Sequence, residues 1–443
     1  MSIINNTPSE SYIKLGRISG EERFHRDLEA LNNLGLEWSK PTAHHPYVRD
    51  YESAKSLLGE GKIGSVYEYT TAEGIRRAYK VIRPRDVPGF DSITAATDLR
   101  LSDFILDADQ ANRKVQAQTS RLSREGYGHI TYPELKKSYE PCQNINIGSL
   151  LQWLPKRAQF MQLGDTSKLQ EDLTKRIVGH RGGLVSLIND IAYSLNRSYV
   201  ANHLTRVQAE QYATYYGLPI SSIRTQQTEQ NGHPLTVYQV PLLPFSKVFP
   251  DHVMTGINDE KQWFTVMELL KPSMGDTMQD VAKAFEKAAS GNGQVDVAGI
   301  MRKVENTFNF DHLKTTSLML DFIHILGLTL SDLKPDNITF DQQGNLLLAD
   351  LSAMQKIGTP RLYGSPKYMT PGSLEDASND KLVGRAEDDH YALNQIKLEW
   401  EEFLKTIPEL TNRATMQKYM QGQQERKSDS EHMTMELINR GRK

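Results

Sequence analysis

Asp332, Lys334, Asn337 and Asp350 have the side-chain types and the order needed to move a phosphoryl group. The first three fall in a short Leu-Ser-Asp-Leu-Lys-Pro-Asp-Asn segment, and a Leu-Leu-Leu-Ala strand pattern then delivers the second carboxylate. One carboxylate can orient and deprotonate a hydroxyl, and a lysine can neutralise migrating charge. An amide oxygen and a further carboxylate can hold a divalent cation on phosphate oxygens. A polar hairpin between buried segments would use the same residue types, so the reading depends on what lies upstream.

Upstream, Leu57-Leu-Gly59-Glu-Gly61-Lys-Ile-Gly64-Ser-Val66-Tyr67 has the spacing Gly-x-Gly-x-x-Gly-x-Val. Alone this spacing is weak, because dinucleotide folds and ordinary turns share it. A dinucleotide turn leads from a strand into a helix. Here the glycines separate two strand-like runs, and Val66–Thr70 continues as strand. They are therefore expected at a hairpin tip whose backbone, lacking Cβ atoms, can approach phosphates. The alternating run Arg77-Ala78-Tyr79-Lys80-Val81-Ile82 follows as a third strand, with Lys80 placed to meet phosphate oxygens.

As an ordered set these motifs resemble the eukaryotic-like Ser/Thr protein kinase family, over about 55–82 and 260–395. The resemblance implies an α+β, bilobal protein-kinase-like fold: a small β-rich N-lobe, here with a large mostly helical insertion, and a larger helical C-lobe. It implies ATP and Mg²⁺ as cofactors and a protein substrate. By matching position, Asp332 is the catalytic base and Lys334 its cationic partner, while Asn337 and Asp350 hold metal. Gly59, Gly61, Gly64, Val66, Ala78 and Lys80 cover or bind the nucleotide. Trp263–Leu270 resembles the strand entering the hinge, with Met267 near the gatekeeper and backbone groups of Glu268 and Leu270 at the adenine. Tyr363–Gly372 resembles the end of the activation segment, and Asp389-His390-Tyr391-Ala392-Leu393 the start of the following helix.

Departures from the family pattern carry their own expectations. His-Arg-Asp is Leu330-Ser331-Asp332, so no arginine is present there to pair with an activation-loop phosphate. Asp-Phe-Gly is Asp350-Leu351-Ser352, and Ala-Pro-Glu is Thr370-Pro371-Gly372. The pattern is similar to that of divergent kinases secreted as effectors by bacterial pathogens, which implies a host protein as substrate and activity independent of activation-loop phosphorylation. The glutamate that should orient Lys80 is not marked by any motif. Glu210, on a helical pattern ending at Gly217, is favoured over Glu125 and Glu171. A pseudokinase scaffold and a kinase-fold AMP transferase are the alternatives. An aminoglycoside-type kinase fits less well, because Lys334-Pro335 departs from that pattern.

A length of 443 residues allows two to three domains. With 38% hydrophobic and 24% charged residues the chain can bury real cores, and its net charge of −3 offers no general affinity for nucleic acid. The local cluster Arg76, Arg77, Lys80, Arg83 and Arg85 reads as strand edges around a nucleotide rather than a nucleic-acid surface. Cys142 is the single cysteine, which excludes an intrachain disulfide and fits a reducing cytosol. No apolar run approaches the ~18 residues of a membrane span. Residues 1–50 form a polar leader with a short helical pattern over Glu21–Leu34. Their composition is shared by secretion leaders and by frayed termini. The expected divisions are this leader, an N-lobe over 51–270 with the insertion at about 90–235, and a C-lobe over 271–443 with abbreviated C-terminal helices. Within the insertion, Leu184, Leu187, Ile188, Ile191 and Leu195 recur at helical spacing and should face a core. That insertion is the least kinase-like part, and a docking partner is placed there.

Overall fold

The computed structural model describes residues 56–60, 64–70, 74–82, 101–102, 104–105, 113, 145–160, 167–180, 182–215, 217–257, 262–290, 299–300, 302, 304, 308–359, 364–378 and 382–409. The leader with its Glu21–Leu34 helix, Gly61, Glu125, Cys142 and the segment after 409 lie outside them. The chain divides into two compact units. The first draws on Met1–Pro155, Gly164–Arg197 and Ser246–Leu270. The second draws on Lys156–Leu163, Ser198–Phe245 and Lys271–Lys443.

The first unit opens with β1 (Ser56–Glu60), β2 (Gly64–Thr70) and β3 (Arg76–Ile82), followed by the short β4 (Phe104–Ile105). Helices α1 (Ile147–Phe160, counted with the second unit from Lys156 on), α2 (Ser167–Gly179) and α3 (Leu184–Asn196) come next. On α3 the three- and four-residue spacing does what it requires, since Leu184, Leu187, Ile188, Ile191 and Leu195 are all buried. Asn189 of the same helix is also buried. It holds the loop near 248 by donating to the Phe249 carbonyl at 2.9 Å and accepting from the Val248 amide at 3.0 Å.

Residues 199–235, expected within a mostly helical insertion, contribute strands as well as a helix, and the strands pair as an antiparallel sheet in the second unit. Strands β5 (Tyr199–Leu204), β6 (Arg224–Gln230) and β7 (His233–Pro241) pair in the order β5-β7-β6, with α4 (Arg206–Tyr215) between the first two in sequence. The β6–β7 hairpin turns on Asn231-Gly232, both at positive φ (57° and 77°), and closes with Gln230 opposite His233. Asn-Gly between strand-like runs is a short-range hairpin signal. It stands in the sequence after the helical pattern that ends at Gly217, which forms α4.

The chain then returns to the first unit with β8 (His252–Ile257) and β9 (Trp263–Glu268), completing a sheet of order β1-β2-β3-β9-β8-β4. Its first five strands run antiparallel, and β4 lies parallel to β8. Trp263, Phe264 and Val266 on the central β9 are buried on both faces. The Tyr79 ring of β3 stacks on Phe264 at 5.1 Å.

In the second unit α5 (Met274–Ser290) starts at a reciprocal cap, the Ser273 amide donating to Asp276 and the Asp276 amide to Ser273 Oγ. Helix α6 (Phe310–Ile325) starts at another, between Asn309 and His312. Its buried apolar face is Leu313, Met319, Leu320, Phe322 and Ile323, with the buried Leu326 at its end. Short hairpin elements follow: β10 (Leu328–Thr329), β11 (Ile338–Phe340), β12 (Leu346–Leu348) and β13 (Gln355–Lys356). The unit's described part ends with α7 (Pro371–Ser378) and α8 (Ala386–Glu409), whose Trp400 packs edge-on against Phe308 at 5.4 Å.

Candidate active site

The site residues expected from the sequence divide between the two units. In the first, sheet register gathers most of the nucleotide set onto one face. Val66 lies opposite Lys80, Lys80 opposite Thr265, and Ala78 opposite Met267. Directly opposed residues share a face, and positions two apart on a strand share it too. Val66, Ala78, Lys80 and Met267 therefore form one patch, with Gly59 opposite Val66 on β1. Glu268, at the end of β9, donates its backbone N–H to the Asp251 carbonyl at 2.9 Å. Its side chain is half-buried and accepts from Lys247 at 2.6 Å. Burial alone would lower the Lys247 pKa, but Asp251 and Glu268 outweigh it and hold the ammonium above its usual value. This clamp on the strand end had no motif to announce it.

The glycines have distinct reasons to be glycine. A Cβ on Gly59 would meet nothing within 4 Å, which leaves room for a ligand. A Cβ on Gly64 would collide with the Val81 carbonyl and come within 3.2 Å of Ile82 Cα. Backbone cannot yield as a flexible side chain can. Gly64→Ala is therefore expected to destabilise the protein by about 1–3 kcal/mol, whereas Gly59→Ala stays within about 0.5 kcal/mol of wild type. Thermal unfolding of the two variants side by side measures the contrast.

In the second unit, Asp332, Lys334 and Asn337 come together. Lys334 Nζ donates to Asp332 Oδ2 at 2.9 Å, and the Ser365 amide donates to Asp332 Oδ1 at 2.8 Å. The buried Asn337 turns its Nδ2 onto the Asp332 backbone carbonyl at 2.7 Å, which directs its amide oxygen the other way. Asp350 is carried to Asn337 by the β11–β12 hairpin. Ile338 pairs with Leu348, and the Ala349 amide reaches the Asn337 carbonyl at 2.8 Å. The hairpin closes on Asp341, which accepts from the Asn345 amide at 2.8 Å, with Gly344 at φ 92°. An amide oxygen and a carboxylate form a hard oxygen pair of the kind Mg²⁺ prefers, so these residues fit that ion.

Among the described residues, non-glycine positive φ occurs at Asn231, in its turn, and at Ser331 (65°) and Asp350 (51°). Left-handed backbone outside a glycine turn costs about 1–3 kcal/mol and persists only where the surroundings enforce it. For Ser331 the enforcing group is Asp389, which is 1% exposed. It accepts from the Leu330 and Ser331 amides at 2.9 Å each, from Thr329 Oγ1 at 2.8 Å and from His324 Nε2 at 2.9 Å. The sequence placed Asp389 at a helix start but gave it no part in the site. Its neighbour Asp388, also buried, anchors the next segment through Thr370 Oγ1 (2.7 Å) and Ser373 Oγ (2.8 Å). Gly372 stands where the family pattern has a glutamate, and the nearby Arg385 pairs with Asp376 instead.

Charge concentrates around Lys334. Burial pulls its pKa down, but Asp332, Asp350 and Asp336 overcome this and raise it well beyond the usual lysine value. While those carboxylates are ionised, its pairing therefore stabilises the fold below that usual value, and the contribution is lost as pH rises toward the folded pKa. Asp336 moves the opposite way for a carboxylate. Burial raises its pKa more than Lys334 lowers it, and Asp276 adds to the rise. Glu210, the favoured partner for Lys80, pairs with Arg206 at 2.8 Å on an exposed stretch of α4 in the second unit, and Glu171 pairs with Lys175 at 2.6 Å on α2.

No family model matches the chain. Local similarity to curated protein kinases is found. The catalytic subunit of cAMP-dependent protein kinase from Arthrobotrys oligospora is 24% identical over 160 residues, 35% of this chain and 31% of that protein. Its counterpart from Dictyostelium discoideum is 28% identical over 101 residues, 22% of this chain and 15% of that protein. Rho-associated protein kinase 1 of Homo sapiens is 35% identical over 74 residues, 15% of this chain and 6% of that protein. The chain thus spans less than a third of the length of these relatives, and what it carries is weak, partial homology to eukaryotic Ser/Thr protein kinases.

Proposed function

We propose that this protein is a Ser/Thr protein kinase of bilobal kinase-like fold, transferring the γ-phosphoryl group of ATP to protein hydroxyls. The observation that carries the reading is the catalytic-loop cluster, in which Asp332 is held by Lys334 and Ser365 while Asn337 and Asp350 are brought level by one hairpin. Asp332 orients the substrate hydroxyl and accepts its proton, and Lys334 neutralises the phosphoryl oxygens as the bond to the leaving group breaks. Asn337 and Asp350 would hold Mg²⁺, whose charge offsets that of the phosphates. Lys80 binds α/β-phosphate oxygens under the β1–β2 glycines, and the Glu268 carbonyl and Leu270 amide take the adenine edge. Such catalysis is positioning plus charge neutralisation, so each group should matter by orders of magnitude.

Incubation with γ-labelled ATP and Mg²⁺, followed by intact-mass analysis of the product, tests the assignment. Wild type should add phosphoryl groups, and Lys80→Ala should lower the rate by about 10²-fold or more. Undiminished labelling by Lys80→Ala, or addition of the heavier adenylyl group, would overturn it. Ser331 is uncharged and 3% exposed, so it offers no cation to a phosphorylated activation segment. Phosphatase-treated protein is accordingly expected to keep its full rate, and loss of activity after treatment would refute this. As a secreted effector the enzyme would act on a host protein. A phosphoproteome of host cells expressing wild type or an Asp332 variant would identify it.

A further inference from the structure

We propose that Asp321, His324 and His390 form a binding site for a divalent transition metal of zinc type, clipping α6 to α8 behind the catalytic loop. One ligand atom from each residue lies within 4.8 Å of the other two. His390 Nε2 already stands 3.4 Å from Asp321 Oδ1. Zinc–nitrogen and zinc–oxygen bonds of about 2.0–2.2 Å, arranged tetrahedrally, set neighbouring ligands about 3.3–3.5 Å apart, so this edge needs little adjustment. Asp321 and His324 are three residues apart on α6 and share a face. The His324 and His390 rings approach to 4.9 Å at 74°.

The surroundings supply what a ligating histidine needs. His324 Nε2 is engaged by the buried Asp389 carboxylate at 2.9 Å, which fixes the ring and assigns Nδ1 to the metal. A carboxylate behind a ligating imidazole is the usual outer partner in zinc sites. The side chains of Asp321 and His390 are 53% and 42% exposed, giving an ion entry and water for the remaining position. Two imidazoles select zinc-like ions over Mg²⁺, whose preference for oxygen places it at Asn337 and Asp350 instead. The site supplies no chemistry to phosphoryl transfer. It tightens His324 on Asp389, and Asp389 in turn holds the Leu330 and Ser331 amides next to Asp332. A bare His390–Asp321 ion pair is the competing account of the same contact.

Metal-stripped full-length protein, kept in Mg²⁺, should be titrated with Zn²⁺ by calorimetry and melted with and without it. Co²⁺ in place of Zn²⁺ gives a visible spectrum that reports nitrogen ligation. The comparison is the double variant Asp321→Asn/His390→Gln, whose exposed positions leave the Asp389 contacts in place. Wild type is expected to bind one Zn²⁺ and melt higher when loaded. The variant should bind about 100-fold more weakly, lose the thermal shift and melt like wild type without metal. Equal Zn²⁺ affinity in both proteins, or no saturable binding by wild type, would overturn the proposal. None of these readouts uses phosphoryl transfer, so the kinase reading stands or falls separately.

Discussion

Asp332→Asn is expected to slow phosphoryl transfer by about 10³-fold or more, equivalent to about 4 kcal/mol of barrier, with thermal stability little changed. Asparagine keeps the shape and one acceptor for the Ser365 amide, so the local backbone bond survives. What it loses is the basic oxygen that takes the hydroxyl proton and the charge that faces Lys334 at 2.9 Å. Lys334 is not stranded by the change, because Asp350 and Asp336 also bear on it. The variant therefore separates chemistry from folding. Single-turnover labelling with γ-labelled ATP and a melting curve on the same sample measure both. A variant at the wild-type rate would remove Asp332 from its proposed role, and a collapsed melting temperature would make it a structural residue.

Asp389→Ala should produce the largest loss of stability. Its carboxylate is buried and accepts from two backbone amides, a threonine hydroxyl and a histidine ring. Truncation leaves those donors buried without their partner, and it removes the group that holds Ser331 at φ 65°. Breaking a buried charged network of this kind costs about 3–5 kcal/mol, a fall of roughly 10 °C in melting temperature for a unit of this size. Activity should fall with it, because the released backbone is the one that presents Asp332. Hydrogen exchange at Leu330 and Ser331 distinguishes the cause. Protection there should collapse before the rest of the unit opens, and unchanged melting with unchanged protection would show that Asp389 holds nothing.

The residues of the candidate site could be picked out in the chain because they lie in short segments. The loop from Asp332 to Asn337, the Leu346–Leu348 strand before Asp350 and the alternating strand around Lys80 are local patterns, and local patterns have periods and turn residues that can be read directly. The stripe on α3 was legible for the same reason, the 3.6-residue repeat of the helix. Within the insertion, the pattern ending at Gly217 is the helix α4, and the Asn231-Gly232 turn makes a hairpin of the residues after it.

What the sequence determined by itself was therefore the candidate side chains, their chemical types and their order. Tertiary structure alone decided which distant residues support them. Asp389 reaches Ser331 only because α8 packs beside α6, and that same packing brings His390 to Asp321 and His324. Gly64 is explained by the strand it touches rather than by any ligand. Such contacts join positions far apart in the chain, where no periodicity or spacing links them, and their strength comes from burial that exists only after the core has closed.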